Sequence, residues 1–150
     1  MLSRVLVGCL VGSVIVGIGC HHAPPPKPPA PERPLTKPSD LAGSWVTSDD
    51  LDWGYALEFS ASGAMKQTIE RGRMGRCEQD AVLTPGSAPR TFAFTYTKDE
   101  CDQGGPGAAR TLEVVSFTDT ALSIVVHGGV GDVHRTYTPD PKVPALPMKK

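Results

Sequence analysis

From Gly54 to Tyr137 the chain alternates apolar and polar residues with a period of two. Tyr55, Leu57 and Phe59 share one face of the first such run, and Met65, Gln67 and Ile69 one face of the second, with Lys66, Thr68 and Glu70 opposite. Ser60–Gly63 separates the two runs as a turn. This alternation is the pattern of strands with one buried face. It returns at Phe92, Phe94 and Tyr96, at Leu122, Ile124 and Val126, and at Val133, Arg135 and Tyr137. Residues 73–83 are less regular, with Cys77, Ala81 and Leu83 on one parity. Between Val114 and Phe117 the parity slips, which predicts a bulge. Leu41–Val46 opens the series, and no stretch has a 3.6-residue period long enough for a helix. The pattern predicts an all-β domain of about seven or eight short strands. Next-neighbour hairpins make it a small antiparallel up-and-down β-barrel or a sandwich. Trp45, Tyr55, Leu57, Phe92, Phe94 and Ile124 are its candidate core or ligand-facing residues.

The flanks read differently. Arg4 precedes an uncharged apolar run, Val5–Gly19, shorter than the ~20 residues of a membrane-spanning helix and about the length of a signal-peptide core. Residues 21–40 contain eight prolines, a composition that prefers extended polyproline II over helix or sheet. The tail 139–150 is again proline-rich and is expected to be disordered. The predicted divisions are a signal peptide at 1–19, a tether at 20–40, a β-domain at 41–138 and a tail at 139–150. The 41–138 body carries 13 acidic and 8 basic side chains, a net −5 within a chain of net −1. That balance argues against nucleic acid as a partner, which requires a basic face. Cys9 leaves with the signal peptide. Of the remaining cysteines, Cys77 and Cys101 are expected to pair in an oxidising compartment.

Gly17-Ile18-Gly19-Cys20 after the apolar run resembles the lipobox of bacterial lipoproteins. The resemblance implies that Cys20 becomes the mature N-terminus and carries diacylglyceryl and further acyl chains. Membrane contact through those chains, in the cell envelope, follows from it. His21 rather than aspartate after Cys20 favours the outer membrane, by resemblance to enterobacterial sorting. Gly43-Ser44-Trp45, followed by Phe59-x-x-x-Gly63, resembles the opening of lipocalin-like domains in bacterial lipoproteins. There the tryptophan plugs the closed end of an up-and-down barrel and an arginine of the last strand packs over it, a role that would fall to Arg135. A plain core role for Trp45 is the alternative.

Candidate chemistry is sparse. His127 and His134 flank a glycine-rich hairpin loop with Asp132 nearby, as an incomplete metal site or pH-sensitive pair. Asp49, Asp50 and Asp52 lack the glycine turn and closing glutamate of a calcium loop. His21 and His22 have no third ligand in sequence. No nucleophile elbow, phosphate loop or Cys-x-x-Cys motif is present. The expectation is a non-enzymatic, lipid-anchored envelope module without cofactor or metal. It binds a small apolar ligand or an envelope protein, or else is a structural component with no pocket.

Overall fold

The computed structural model describes residues 28–48, 53–101, 107–129 and 131–142. Nine strands follow in order: β1 (Gly43–Ser48), β2 (Gly54–Phe59), β3 (Ala64–Glu70), β4 (Arg76–Val82), β5 (Thr84–Pro85), β6 (Thr91–Asp99), β7 (Ala109–Phe117), β8 (Leu122–His127) and β9 (Val133–Pro139). All pairings are antiparallel. β9 returns to β1, placing Trp45 opposite Pro139 and Val46 opposite Thr138. On the far side β4 pairs with β6, and β5 continues β4 past Leu83 along the same partner. The result is a closed eight-stranded barrel plus one short extra strand, and closure removes the open edges that a sandwich would leave.

The period-two pattern explains the inside of this barrel. Tyr55, Leu57, Phe59, Met65, Ile69, Phe92, Phe94, Tyr96, Leu112 and Ile124 all belong to one buried cluster. The expected bulge lies between Val114 and Ser116. It keeps both Val114 and Phe117 inside and leaves Val115 exposed. A second irregularity, at Asp80/Ala81, has its origin in the partner strand. Thr97 of β6 is the extra residue there, and its hydroxyl donates to the Asp80 carbonyl.

One end of the barrel is covered by residues 32–41, all but the last of them in the stretch read from sequence as tether. The Arg33 N–H donates to the Phe117 carbonyl at 2.7 Å. Glu32 Oε2 accepts from the Phe117 N–H and from Arg90 Nη2, each at 3.0 Å. These bonds hold Glu32's carboxyl below its ordinary range, the Phe117 N–H being the larger cause. The Arg33 guanidinium lies 4.3 Å over the Phe117 ring. A 3-10 turn, Pro38–Leu41, follows. Asp40 Oδ2 accepts from the Thr36 and Lys37 N–H groups, the return bond of a capping box from the third residue of the turn. Leu41 is fully buried, and its carbonyl faces the Trp45 indole N–H at 3.4 Å. Gly63 has φ +85°, and a Cβ there would come within 3.2 Å of the Pro38 Cβ. A side-chain-free residue therefore lets this strap lie flat on the β2–β3 turn.

At its other boundary the body runs slightly past 138. Pro139 is the last residue of β9, and the Asp140 N–H donates to the Ser44 carbonyl. Residues 143–150 lie outside the described residues. So do Cys20, His21, His22, Asp49, Asp50 and Asp52.

Candidate functional site

The two barrel ends differ in chemistry. At the strap end, Trp45 and Phe117 meet edge to face with centroids 5.7 Å apart, above Leu41 and beside Phe59 in the same cluster. Arg135 does not pack over Trp45. Its guanidinium lies 3.8 Å over the ring of Tyr55, because inward parity on β9 places it opposite Ile124, two positions nearer the loop end than Tyr137. The arginine that serves the strap-end aromatics is Arg33, from outside the strand set.

At the loop end the inward face turns polar. Gln67, Gln79, Arg110 and Arg135 sit on the same parity as the apolar residues around them. Gln79 is 1% exposed and donates to Asp99 Oδ1 at 2.8 Å. The same oxygen accepts the Cys101 N–H at 3.0 Å. The Arg110 guanidinium lies 5.3 Å from the Tyr96 centroid. A Cβ on Gly129 would come within 2.5 Å of Arg110 Nη1, so the β8–β9 loop lies close over that guanidinium, which would have to shift for any larger residue there. Burial pushes the phenols of Tyr96 and Tyr137 above the ordinary tyrosine value, keeping both neutral. Cys77 and Cys101 form a disulfide with Cα atoms 5.3 Å apart, which ties the start of β4 to the segment after β6 at this end.

Tyr96, Gln67, Arg135 and Tyr137 give a polar side to a small cavity inside the barrel, and Leu57, Met65, Phe94, Leu112 and Ile124 an apolar side. Its free space is about 10 Å³, which is what a single water molecule needs. Of the aromatic and aliphatic residues singled out from the sequence, Leu57, Phe94 and Ile124 line this space. Trp45, Tyr55 and Phe92 are core residues elsewhere in the barrel.

No family model, curated protein or solved structure matches this chain. The reading of the site therefore rests on its own geometry.

On the outer face, His127 does not pair with His134. Its Nε2 lies 3.1 Å from Glu113 Oε2 and its Nδ1 2.9 Å from Asp132 Oδ1. His134 stands opposite Val125 instead. Both carboxylates favour the protonated ring and raise its pKa, the Glu113 bond contributing most. Among the described residues no group of three His, Cys, Asp or Glu side chains is arranged to hold a metal ion. Of the inward polar residues, sequence reading aligned Gln67 and Arg135 with their apolar neighbours and missed Gln79 and Arg110. Gln79 was passed over on β4, although it shares the parity of Cys77 and Ala81. Arg110 shares that of Leu112 and Val114. Polar residues on an apolar parity, all near the same strand ends, were the available signal.

Proposed function

We propose that this chain is a lipid-anchored protein of the bacterial cell envelope whose barrel is a non-catalytic interaction module, not a calyx for apolar molecules. The anchor reading rests on the lipobox-like Gly17–Cys20 and on the proline run behind it. Outer-membrane placement is favoured by His21. The second half rests on one observation, the cavity of about 10 Å³. Pockets that hold small apolar ligands run to roughly 300–1,000 Å³. An interior packed with Leu57, Phe94, Leu112 and Ile124 supports a scaffold that presents its ends and outer face to a partner.

Two measurements test the two halves. Cys20→Ser in the full chain should block maturation and remove incorporated radiolabelled palmitate. A variant that matures normally and still sediments with lipid overturns the anchor. Native mass spectrometry of the membrane-extracted protein should show no mass beyond the acylated chain. A stoichiometric co-purifying apolar molecule overturns the filled-barrel reading.

A further inference from the structure

At the strap end, β7 outruns its neighbour. The β6–β7 ladder stops at Thr91 opposite Glu113, so Val114 to Phe117 have no β6 partner along that edge. Arg90 fills the first gap. Its carbonyl accepts the Val114 N–H at 2.9 Å, and its Nε donates to the Val114 carbonyl at 3.0 Å. It does so at φ +60°, a conformation strained for a residue with a side chain. The barrel itself thus fixes this guanidinium, and Arg90 Nη2 and the Phe117 N–H converge on one oxygen, Glu32 Oε2.

The segment seated there is held lightly. Among the described residues, Glu32–Lys37 is joined to the barrel by those two bonds and by the Arg33 N–H on the Phe117 carbonyl. Arg33 adds its guanidinium over the Phe117 ring and a 3.7 Å ion pair with Asp119, and Leu35 packs half-buried against the core. The carboxylates of both ion pairs are open to water, Glu32 at 48% and Asp119 at 62% exposed. The footing changes at the Pro38–Leu41 turn, where Leu41 is fully buried. Few buried apolar contacts and water-exposed hydrogen bonds mark a segment that opens at a lower free energy than the whole domain unfolds.

We propose that Glu32–Lys37 is a releasable clasp, seated on the β7 edge by Glu32 and Arg33 and hinged at the Pro38–Leu41 turn, which gives the tether two lengths. Seated, it leaves residues 20–31 as the spacer. Released, its six residues lengthen the spacer by about 19 Å at ~3.1 Å per residue. The barrel stays closed, because β1 and β9 meet beyond the hinge. The seat persists as well, since Val114 and not Glu32 holds Arg90. The clasp stands without a lipid on Cys20, whereas the two distances from a bilayer rest on the anchor reading.

Native-state hydrogen exchange of the ¹⁵N-labelled full chain, in a nonionic detergent with sub-denaturing urea, reads the clasp. The Arg33 and Phe117 amides should exchange through an opening that urea hardly accelerates, and the β2–β3 and β6–β7 ladder amides through global unfolding. Glu32→Gln keeps an acceptor oxygen and removes the charge. It should speed exchange at Arg33 and Phe117 about fivefold, the upper range for an exposed ion pair, and leave the ladders unchanged. The clasp is overturned if Arg33 and Phe117 exchange only together with the ladders. It is equally overturned if Glu32→Gln leaves both rates unchanged or speeds the ladders as much. The double variant Glu32→Gln/Arg33→Pro also lacks the backbone donor and the ring contact, and ladder exchange reports whether its barrel is folded. In vesicles containing a gadolinium-labelled headgroup lipid, it should show less relaxation enhancement at Ser60–Gly63 than the parent. Equal enhancement overturns the two lengths. No enhancement in either chain removes the anchor and the two lengths with it, while exchange in detergent still decides the clasp.

Discussion

His127 sits between two carboxylates with only two ring nitrogens to satisfy them. A neutral imidazole carries one N–H, so either Glu113 or Asp132 would face a lone pair. The protonated ring donates to both, which is why its pKa rises above the ordinary 6.5. A raised folded-state pKa contributes stability that is fully present below 6.5 and is lost as the pH climbs through the folded value. His134, across from Val125 on the same outer face, is the other histidine of this hairpin. Urea unfolding of the parent should therefore show a falling midpoint across that window, and His127→Gln should flatten it. His134→Gln should leave the slope in place. A midpoint that rises with pH in the parent would sink this account. Glu78 shows the opposite sense. Lys66 above all, then Arg76 and Lys98, hold its carboxyl down to about 2, so its contribution exists above 4.5 and fades as the pH falls toward 2. Its position on the outer surface keeps that contribution small.

A covalent tie holds the elements in place at the loop end, and hydrogen bonds of the strap hold them at the other. The disulfide joins Cys77 to Cys101, 24 positions apart, and closing such a loop restricts the unfolded chain by about 3–4 kcal/mol. The double variant Cys77→Ala/Cys101→Ala should lose stability on that order in denaturant titration. A loss below about 1 kcal/mol would mean that the β4–β6 ladder already fixes the same geometry in the unfolded ensemble. Both cysteines, the strands and the bulge after Val114 were legible because each is local. Parity, turn residues and cysteine count are properties of neighbouring positions. The bulge at Asp80/Ala81 was not legible, because Thr97 on another strand creates it. The strap was illegible for a related reason. Glu32 and Arg33 lie in a proline-rich run that local rules assign to spacer, and only the distant Phe117 and Arg90 make them part of the barrel. The same limit hid the polar loop end. Gln79 and Asp99 are 20 positions apart, and the β4–β6 pairing brings them together.

Closure also fixes which way the molecule points. The strap leaves the barrel at the end where β9 finishes, since Asp140 bonds to Ser44 next to Trp45. Both flanking segments therefore depart from the strap end, and the disulfide and His127 occupy the opposite one. If Cys20 carries lipid, residues 20–31 are the remaining spacer, about 37 Å long as polyproline II at ~3.1 Å per residue. The strap end then faces the bilayer on average, and the loop end lies about 20 Å farther out, the height of a tilted seven- to nine-residue strand. The membrane-extracted full chain in vesicles containing a gadolinium-labelled headgroup lipid reads this directly. Amide relaxation should be enhanced more at Ser60–Gly63 and Thr118–Ala121, the strap-end turns, than at Gly72–Gly75 and Gly128–Gly129. An inverted gradient would place the loop end against the membrane. Equal enhancement at both ends would mean that the spacer lets the barrel turn freely, and the orientation would be lost while the anchor stood. No enhancement at either end would remove the anchor itself.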